Sequence, residues 1–269
     1  MDSSVAIVAL VLLGLCFGSF VNALVWRVHK RRDMVRERSE CTHCHHVLAW
    51  YDLIPVLSWA MLRGKCRYCH KPIDDTPLVE LAVALLWAIS YLVWPYTLMS
   101  SAQWALFGLW LVALVALVAL ADYDIRWGLL PDVMVWPLAA VGAAIGWLRF
   151  AVVERQSLDG ALLTMGTGVL VIAGLYGALY YFSRGRYVGF GDVKLNIFIG
   201  LVTGWQGALV ALMAANLLGT LWVVPGLVTR RLTRSSRVPF GPFLIIGCII
   251  AVLWGNQLIQ WYIRSFLPL

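Results

Sequence analysis

The chain has 269 residues, of which 61% are hydrophobic and 13% are charged, and its mean hydropathy is +0.81. Soluble domains carry about a quarter charged residues, so this composition excludes an ordinary soluble globular protein. The net charge of +7 does not indicate nucleic-acid binding, because basic residues are expected beside membrane spans on the cytoplasmic side. The sequence therefore predicts an all-α polytopic membrane protein.

Apolar runs of about 20 residues, enough to cross a bilayer, recur along the whole chain. The stretch 195–228 is too long for one span, and the sequence TGWQG at 203–207 supplies a turn within it. A seven-helix arrangement with one long tilted helix is the alternative, and it would invert the last span. The eight predicted helices are 4–26, 77–95, 103–121, 133–150, 160–182, 194–204, 206–228 and 241–263.

Lysine and arginine predict the orientation of these helices. The loops 28–76 and 229–239 are rich in basic residues, whereas 96–102 and 150–159 are poor in them. With eight helices, every basic loop lies in the cytoplasm and both termini lie outside. The chain is thus predicted to contain a first transmembrane helix over 1–27, a cytoplasmic loop domain over 28–76 and a membrane core over 77–269.

The predicted cytoplasmic loop contains two CxxC pairs separated by 21 residues, a spacing close to that of a four-cysteine zinc site. Structural disulfides are disfavoured in the reducing cytoplasm, and a metal replaces the core that so short a loop lacks. We expect a structural zinc; iron with the same thiolates and a redox dithiol are alternatives. The nearby histidines are expected to be solvated or to support the ligands. The predicted ligands are Cys41, Cys44, Cys66 and Cys69.

Two aspartates are predicted at membrane edges on the cytoplasmic side. Asp124 follows the third predicted helix and Asp192 precedes the sixth. Asp192 could simply be a helix N-cap, and Asp132 is better explained as a cap than as a catalyst. If the two helices are neighbours, the carboxyls of Asp124 and Asp192 can share a proton and hold a water. That arrangement would perform aspartic-protease chemistry, and Gly189 and Gly191 would let the backbone pass close to a substrate.

The motifs of the chain, taken in order, resemble those of the bacterial type IV prepilin peptidases, which are GxGD intramembrane aspartic proteases. The resemblance covers nearly the whole chain and is carried by GSFVNALVWRVHK, the paired CxxC segments, PLVELAVALLW, DIRWGLLPD, GFGDVKL and VPFGPFL. It implies removal of the basic leader of prepilins or pseudopilins at the cytoplasmic face of the bacterial inner membrane. It also implies N-methylation of the new terminus with S-adenosylmethionine.

The resemblance also implies roles for individual residues. Asp124, seven residues before Pro131, matches the first catalytic aspartate of the family, and Asp192 matches the second. The four loop cysteines match its metal-binding pairs. Tyr123 and the IRW sequence at 125–127 differ from many relatives, and Asp122 is the alternative first aspartate. The remaining expected sites are the substrate-loop residues Gly189, Gly191 and Lys194, and Glu80 as a cofactor-binding residue or the partner of a basic side chain.

Other classes of function make different demands on the sequence. A transporter or channel would explain the many spans, although transporters usually bind their substrates near the bilayer midplane. A thiol oxidoreductase would need the CxxC cysteines to cycle between thiol and disulfide, and a scaffold would need neither aspartate. The expected partners are prepilin substrates and the lipid bilayer, without nucleic acid, and the sequence does not indicate an oligomeric state.

Overall fold

The structure, a computed structural model, describes residues 3–33, 37–73, 75–233, 236 and 238–266. In this part of the chain the regular secondary structure is helical. Six helical segments are long and apolar enough to cross a membrane, and α3 is a shorter apolar helix. The helices are α1 (Ser3–Lys30), α2 (Leu57–Met61), α3 (Leu78–Leu92), α4 (Ser101–Trp127), α5 (Asp132–Trp147), α6 (Leu158–Val169), α7 (Leu175–Ser183), α8 (Phe190–Val228) and α9 (Gly241–Phe266).

Short irregular helices join or extend several of these elements. A 3₁₀ turn, Trp50–Leu53, precedes α2, and a π-helical segment, Leu148–Val153, extends α5. A second π-helical segment, Leu170–Gly174, joins α6 to α7. The α6–α7 run therefore forms a single membrane segment, Leu158–Ser183, as the hydropathy predicted.

The chain forms two compact units. The first contains Met1–Val93 and Leu114–Asp122, and the second contains Trp94–Ala113 and Tyr123–Leu269. In the first unit, α1 and α3 pack closely because α1 presents glycines to its neighbour. A Cβ added at Gly14 would lie 2.6 Å from the Cα atom of Ala84, and one added at Gly18 would lie 2.4 Å from that of Glu80. Close packing of this kind associates helices in a membrane, where lipid removes the hydrophobic driving force.

In the second unit, glycines also allow close packing of helices around α8. A Cβ at Gly168 in α6 would lie 2.4 Å from the carbonyl oxygen of Gly200, and one at Gly247 in α9 would lie equally close to that of Ala211. Small residues therefore let α6 and α9 approach the α8 backbone. The side chains of Phe198, Ile199 and Ala215 are completely buried in this core.

Helix α8 reverses direction at Gly204. This glycine has non-helical backbone angles (φ 66°, ψ −179°), and the Tyr176 side chain interacts with both Asp192 and Asn216. In a straight helix, 24 residues would separate those two side chains by about 36 Å. The predicted division into two helices within 194–228 is therefore confirmed, and the single long tilted helix is wrong.

The ends of two helices differ from the sequence expectation. Helix α4 continues to Trp127 and stops at Gly128, which is left-handed (φ 64°) and donates its N–H to the Asp124 carbonyl. Asp124 thus lies in the last turn of α4 rather than after it. Helix α8 begins at Phe190, so Gly189 occupies the N-cap and Asp192 lies in the first turn. The alternative that Asp192 is the N-cap itself is wrong, because Gly189 occupies that position.

Candidate functional site

The four loop cysteines converge on one point. The sulfur atoms of Cys41, Cys44, Cys66 and Cys69 all lie within 4.8 Å of one another, and the Cys41 and Cys69 sulfurs are 3.9 Å apart. Four thiolates bound to zinc at about 2.3 Å in a tetrahedron would be about 3.8 Å apart. The donor set and its spacing therefore fit a four-coordinate zinc ion.

The two cysteine pairs have the same backbone conformation. In each pair, the backbone carbonyl of the first cysteine accepts a hydrogen bond at 2.9 Å from the N–H of the residue four positions later. His45 donates to Cys41, and His70 donates to Cys66. Both histidines adopt left-handed angles, with φ near 56° and 57°, and thereby close the turns. Their backbone therefore has a structural role in the turns.

The turns also prepare a thiolate for metal binding. Burial raises the pKa of the Cys41 thiol, but hydrogen bonds from the backbone N–H groups of Cys44 and His43, together with those from the Cys66 and Cys44 thiols, outweigh burial and lower that pKa to about 6. The His43 N–H lies 3.5 Å from the Cys41 sulfur. Because metals bind the thiolate rather than the thiol, this arrangement favours a bound cation.

Asp124 is held by a backbone amide from α9. The Gly241 N–H donates to its Oδ2 atom at 3.0 Å, and the residue is only 5% exposed. The contact leaves no room for a side chain, since a Cβ at Gly241 would lie 2.6 Å from the same oxygen. The sequence expectation missed Gly241, although it lies in the VPFGPFL motif that contributed to the family resemblance.

Asp192 is held by its own N-terminal turn and lies close to Asp124. Its Oδ2 atom accepts the Gly189 N–H at 3.3 Å, while the Asp192 N–H donates back to the Gly189 carbonyl at 3.2 Å. The carboxylates of Asp124 and Asp192 interact electrostatically. The structure therefore brings together the two aspartates that the sequence placed on one side of the membrane.

Tyr176 is a further residue beside the aspartates that sequence reasoning did not identify. It is buried and lies close enough to the Asp192 and Asn216 side chains to interact with both. Its ring stacks on Phe240, the residue before Gly241, with 6.3 Å between ring centroids. No motif marks this tyrosine, because its position depends on the reversal of α8.

An ion pair connects the two aspartate motifs. The Lys194 ammonium contacts the Asp132 carboxylate, and a Cβ added at Gly191 would lie 2.9 Å from Leu130. The ammonium also lies 5.0 Å from the centre of the Phe190 ring. Asp132 was expected to be an N-cap, but Pro131 occupies that position and Asp132 begins α5. The pair joins the segment after Asp124 to the segment around Asp192.

Glu80 has a backbone partner. It is buried in the first turn of α3, and its Oε2 atom accepts the Val56 N–H at 2.6 Å. This contact differs from the Lys or Arg partner that was one expectation. A role for Glu80 in binding a cofactor stays a prediction.

Comparisons with known proteins show which family the chain resembles. Residues 12–94 match the bacterial peptidase A24 N-terminal domain, and residues 111–224 match the type IV leader peptidase family. A prepilin leader peptidase/N-methyltransferase of Aeromonas hydrophila is 35% identical over 87% of this chain and 78% of its own length.

The chain belongs to the type IV leader peptidase family. A relative of the same name from Pseudomonas aeruginosa is 31% identical over 94% of this chain and 92% of its own length. No solved structure matches the chain. Both cysteine pairs lie within the N-terminal family match, and Asp124 and Asp192 lie within the peptidase match.

The first prediction concerns the metal. Purified protein should contain one zinc per chain by inductively coupled plasma mass spectrometry. Cys44→Ser and Cys66→Ser should each lose most of it during exchange against a chelator, because three thiolates hold zinc less well. The control variant Cys16→Ser, which alters a cysteine of α1, should keep the metal. Iron in place of zinc, or full retention of the metal by Cys44→Ser and Cys66→Ser, would contradict this assignment.

The second prediction concerns Gly241. Gly241→Ala should lower peptide cleavage by about 100-fold, because a displacement of about 1 Å at a reacting group has that order of effect. Gly255→Ala in the same helix is the matched control, since a Cβ there meets no atom within 4 Å. Equal activities of the two variants would show that the Asp124 contact is dispensable.

The third prediction concerns the Lys194–Asp132 pair, whose side chains are unequally buried, with 11% of Lys194 and 64% of Asp132 exposed. Asp132→Asn leaves a buried ammonium unpaired and should cost up to about 3 kcal/mol. Lys194→Met leaves an exposed carboxylate and should cost less. Thermal unfolding in detergent measures both, and the double variant should be more stable than Asp132→Asn alone. A larger loss of stability in Lys194→Met than in Asp132→Asn would contradict this prediction.

Proposed function

We propose that this protein removes the leader peptide from prepilins or pseudopilins, using Asp124 and Asp192, and then methylates the new N-terminus. The family membership supports the reaction class. The observation that carries the site assignment is the convergence of two aspartates, from α4 and α8, within electrostatic reach of each other.

The proposed peptidase reaction needs one proton shared between the two carboxyl groups. Two carboxylates close together cannot both ionise easily, so one carries the proton while the other is ionised. The ionised carboxylate takes a proton from a water, whose oxygen attacks the scissile carbonyl. The protonated carboxyl donates to that carbonyl oxygen. Collapse of the tetrahedral intermediate then breaks the C–N bond, and the leaving amine takes the proton that the first carboxylate removed from water, while the intermediate returns a proton to the second carboxylate.

The surrounding residues support this proposal by fixing the carboxyl groups. The Gly241 and Gly189 amides each hold one oxygen of an aspartate, which leaves the other oxygen for water or substrate. The expected substrate loop is the N-terminus of α8 in the structure, with Gly189 at the N-cap and Gly191 in the first turn, and in this proposal the substrate passes this helix end. The buried Lys194 lies in α8 and has Asp132 as its partner, so in this proposal it contributes by positioning the N-terminal end of α8.

Methyl transfer is the second activity in this proposal, and it follows from the names of the relatives. S-adenosylmethionine supplies a methyl group when bound, and the new N-terminal amine receives it. In the structure the Glu80 carboxylate accepts the Val56 N–H, and the Glu80 backbone is packed against Gly18. We therefore assign no step of methyl transfer to Glu80.

The proposed location is the bacterial inner membrane, with the cysteine loop and the aspartates on the cytoplasmic side. The zinc ion stabilises the loop domain in this proposal and takes no part in hydrolysis. Four protein ligands leave no open position for a substrate.

The fourth prediction tests both activities with one measurement. Protein in nanodiscs is incubated with a prepilin, with and without S-adenosylmethionine, and the product is analysed by intact mass spectrometry. Wild-type protein should remove the leader, and the cofactor should add one methyl group. Asp124→Asn and Asp192→Asn should each slow cleavage by at least about 100-fold, because each removes a proton-transferring group.

Two further variants make this experiment decisive. Asp159→Asn changes an exposed carboxylate in the first turn of α6 and should cleave at the wild-type rate. Asp122→Asn should retain activity if Asp124 is the first catalytic aspartate. A fully active Asp124→Asn protein together with an inactive Asp122→Asn protein would transfer the role to Asp122.

A further inference from the structure

We propose that the segment Trp50–Met61, called the loop segment below, is embedded in the membrane rather than in the cytoplasm. Its exposed apolar side chains would contact the acyl chains of the leaflet at which α1 ends. The proposal concerns the first unit alone and does not depend on the peptidase activity.

The depth of Glu80 is the first argument. The α1 backbone at Gly18 lies directly against Glu80, and Gly18 is nine positions before Arg27, the first charged residue at the end of α1. At 1.5 Å per residue, Gly18 lies about 13 Å along α1 from Arg27. Because a charged side chain such as Arg27 marks the membrane boundary, Glu80 lies well inside the apolar layer.

The contact between Glu80 and Val56 transfers that depth to the loop segment. The Val56 N–H lies 2.6 Å from the Glu80 carboxylate, so the middle of the segment is at the level of the first turn of α3. Val56 also has a positive φ of 61°, which is unfavourable for a β-branched residue. A backbone amide in lipid must find an internal acceptor, and Glu80 supplies one here.

The length of α3 is the second argument. It has 15 residues, a length of about 22 Å, whereas the hydrocarbon core of a bilayer is about 30 Å thick. Helix α3 alone therefore does not span this layer. The loop segment adjoins the N-terminal turn of α3 through Val56. It would therefore occupy the part of the hydrocarbon core that α3 is too short to cross.

The side chains of the segment suit lipid. Trp50 is 77% exposed, Leu57 53% and Met61 72%, and a free aqueous surface rarely carries such large apolar groups together. Helix α3, which the segment adjoins at Val56, also exposes large apolar side chains, Leu78 and Leu85 among them. Tryptophan and tyrosine are also enriched at the membrane interface, and Tyr51 follows Trp50.

Photo-crosslinking tests the proposal in the full-length protein, reconstituted in phospholipid nanodiscs with its metal. The photoreactive residue p-benzoylphenylalanine replaces Trp50 or Met61, one at a time, and Leu57 is a reserve position. Irradiation followed by intact mass spectrometry should give an adduct of one phospholipid at each site. Leu85, exposed on α3, is the positive control, and Arg38, exposed and charged, should give none.

The outcomes separate lipid from other occupants. Each variant must retain one metal per chain, which shows that the loop domain is folded. Adducts at Leu85 without adducts at Trp50, Met61 and Leu57 would overturn the proposal. Covalent dimers at these sites would also overturn it, because a second copy would then cover the surface. Equal lipid adducts at Arg38 would overturn it as well, since the labelling would not report depth.

Discussion

Three carboxylates on apolar helices each accept a backbone amide from a break in the helical structure. Glu80 accepts from Val56, Asp124 from Gly241 and Asp192 from Gly189. Helix termini leave unpaired N–H groups, and lipid offers them no acceptor. The acids and the chain breaks therefore stabilise each other. This constraint determines where α2, α8 and α9 begin, and it fixes the positions of both proposed catalytic side chains.

The same contacts hold the two aspartate side chains in fixed orientations without using both oxygens of either carboxyl group. Each aspartate uses one oxygen for a backbone amide, so its orientation is fixed while its second oxygen stays available for chemistry. Gly241 is required for the first contact because α9 begins directly against Asp124. The Lys194–Asp132 pair and the packing of Gly191 on Leu130 then connect the two segments. Pre-organisation of this kind contributes to catalysis, since the groups need not reorganise during reaction.

The sequence predicted those features that depend on local spacing. The CxxC pairs identify a metal site because each pair shapes its own turn, and the excessive length of 194–228 reveals the reversal at Gly204. Other features could not be predicted from the sequence. The amides of Gly241 and Val56 act through the backbone, which leaves no side-chain signature. The pairing of Lys194 with Asp132 joins residues 62 positions apart, and only the packed structure brings them together.

At the reversal of α8, a charged side chain stabilises the backbone by a hydrogen bond. Non-helical angles at Gly204 interrupt the hydrogen bonds of the helix, and Arg149 donates to the freed Val202 carbonyl at 3.0 Å. The Arg149 guanidinium is held in turn by Glu154 at 2.9 Å, and Tyr96 donates to the same carboxylate at 2.6 Å. These charged residues therefore have a structural explanation and give no support to an ion pathway. The electrostatic interaction between Asp124 and Asp192 is of a different kind, because two adjacent acids cannot both ionise easily and local stability gains nothing from bringing them together. Such a costly arrangement is expected at a site of chemistry, which favours a peptidase over a transporter.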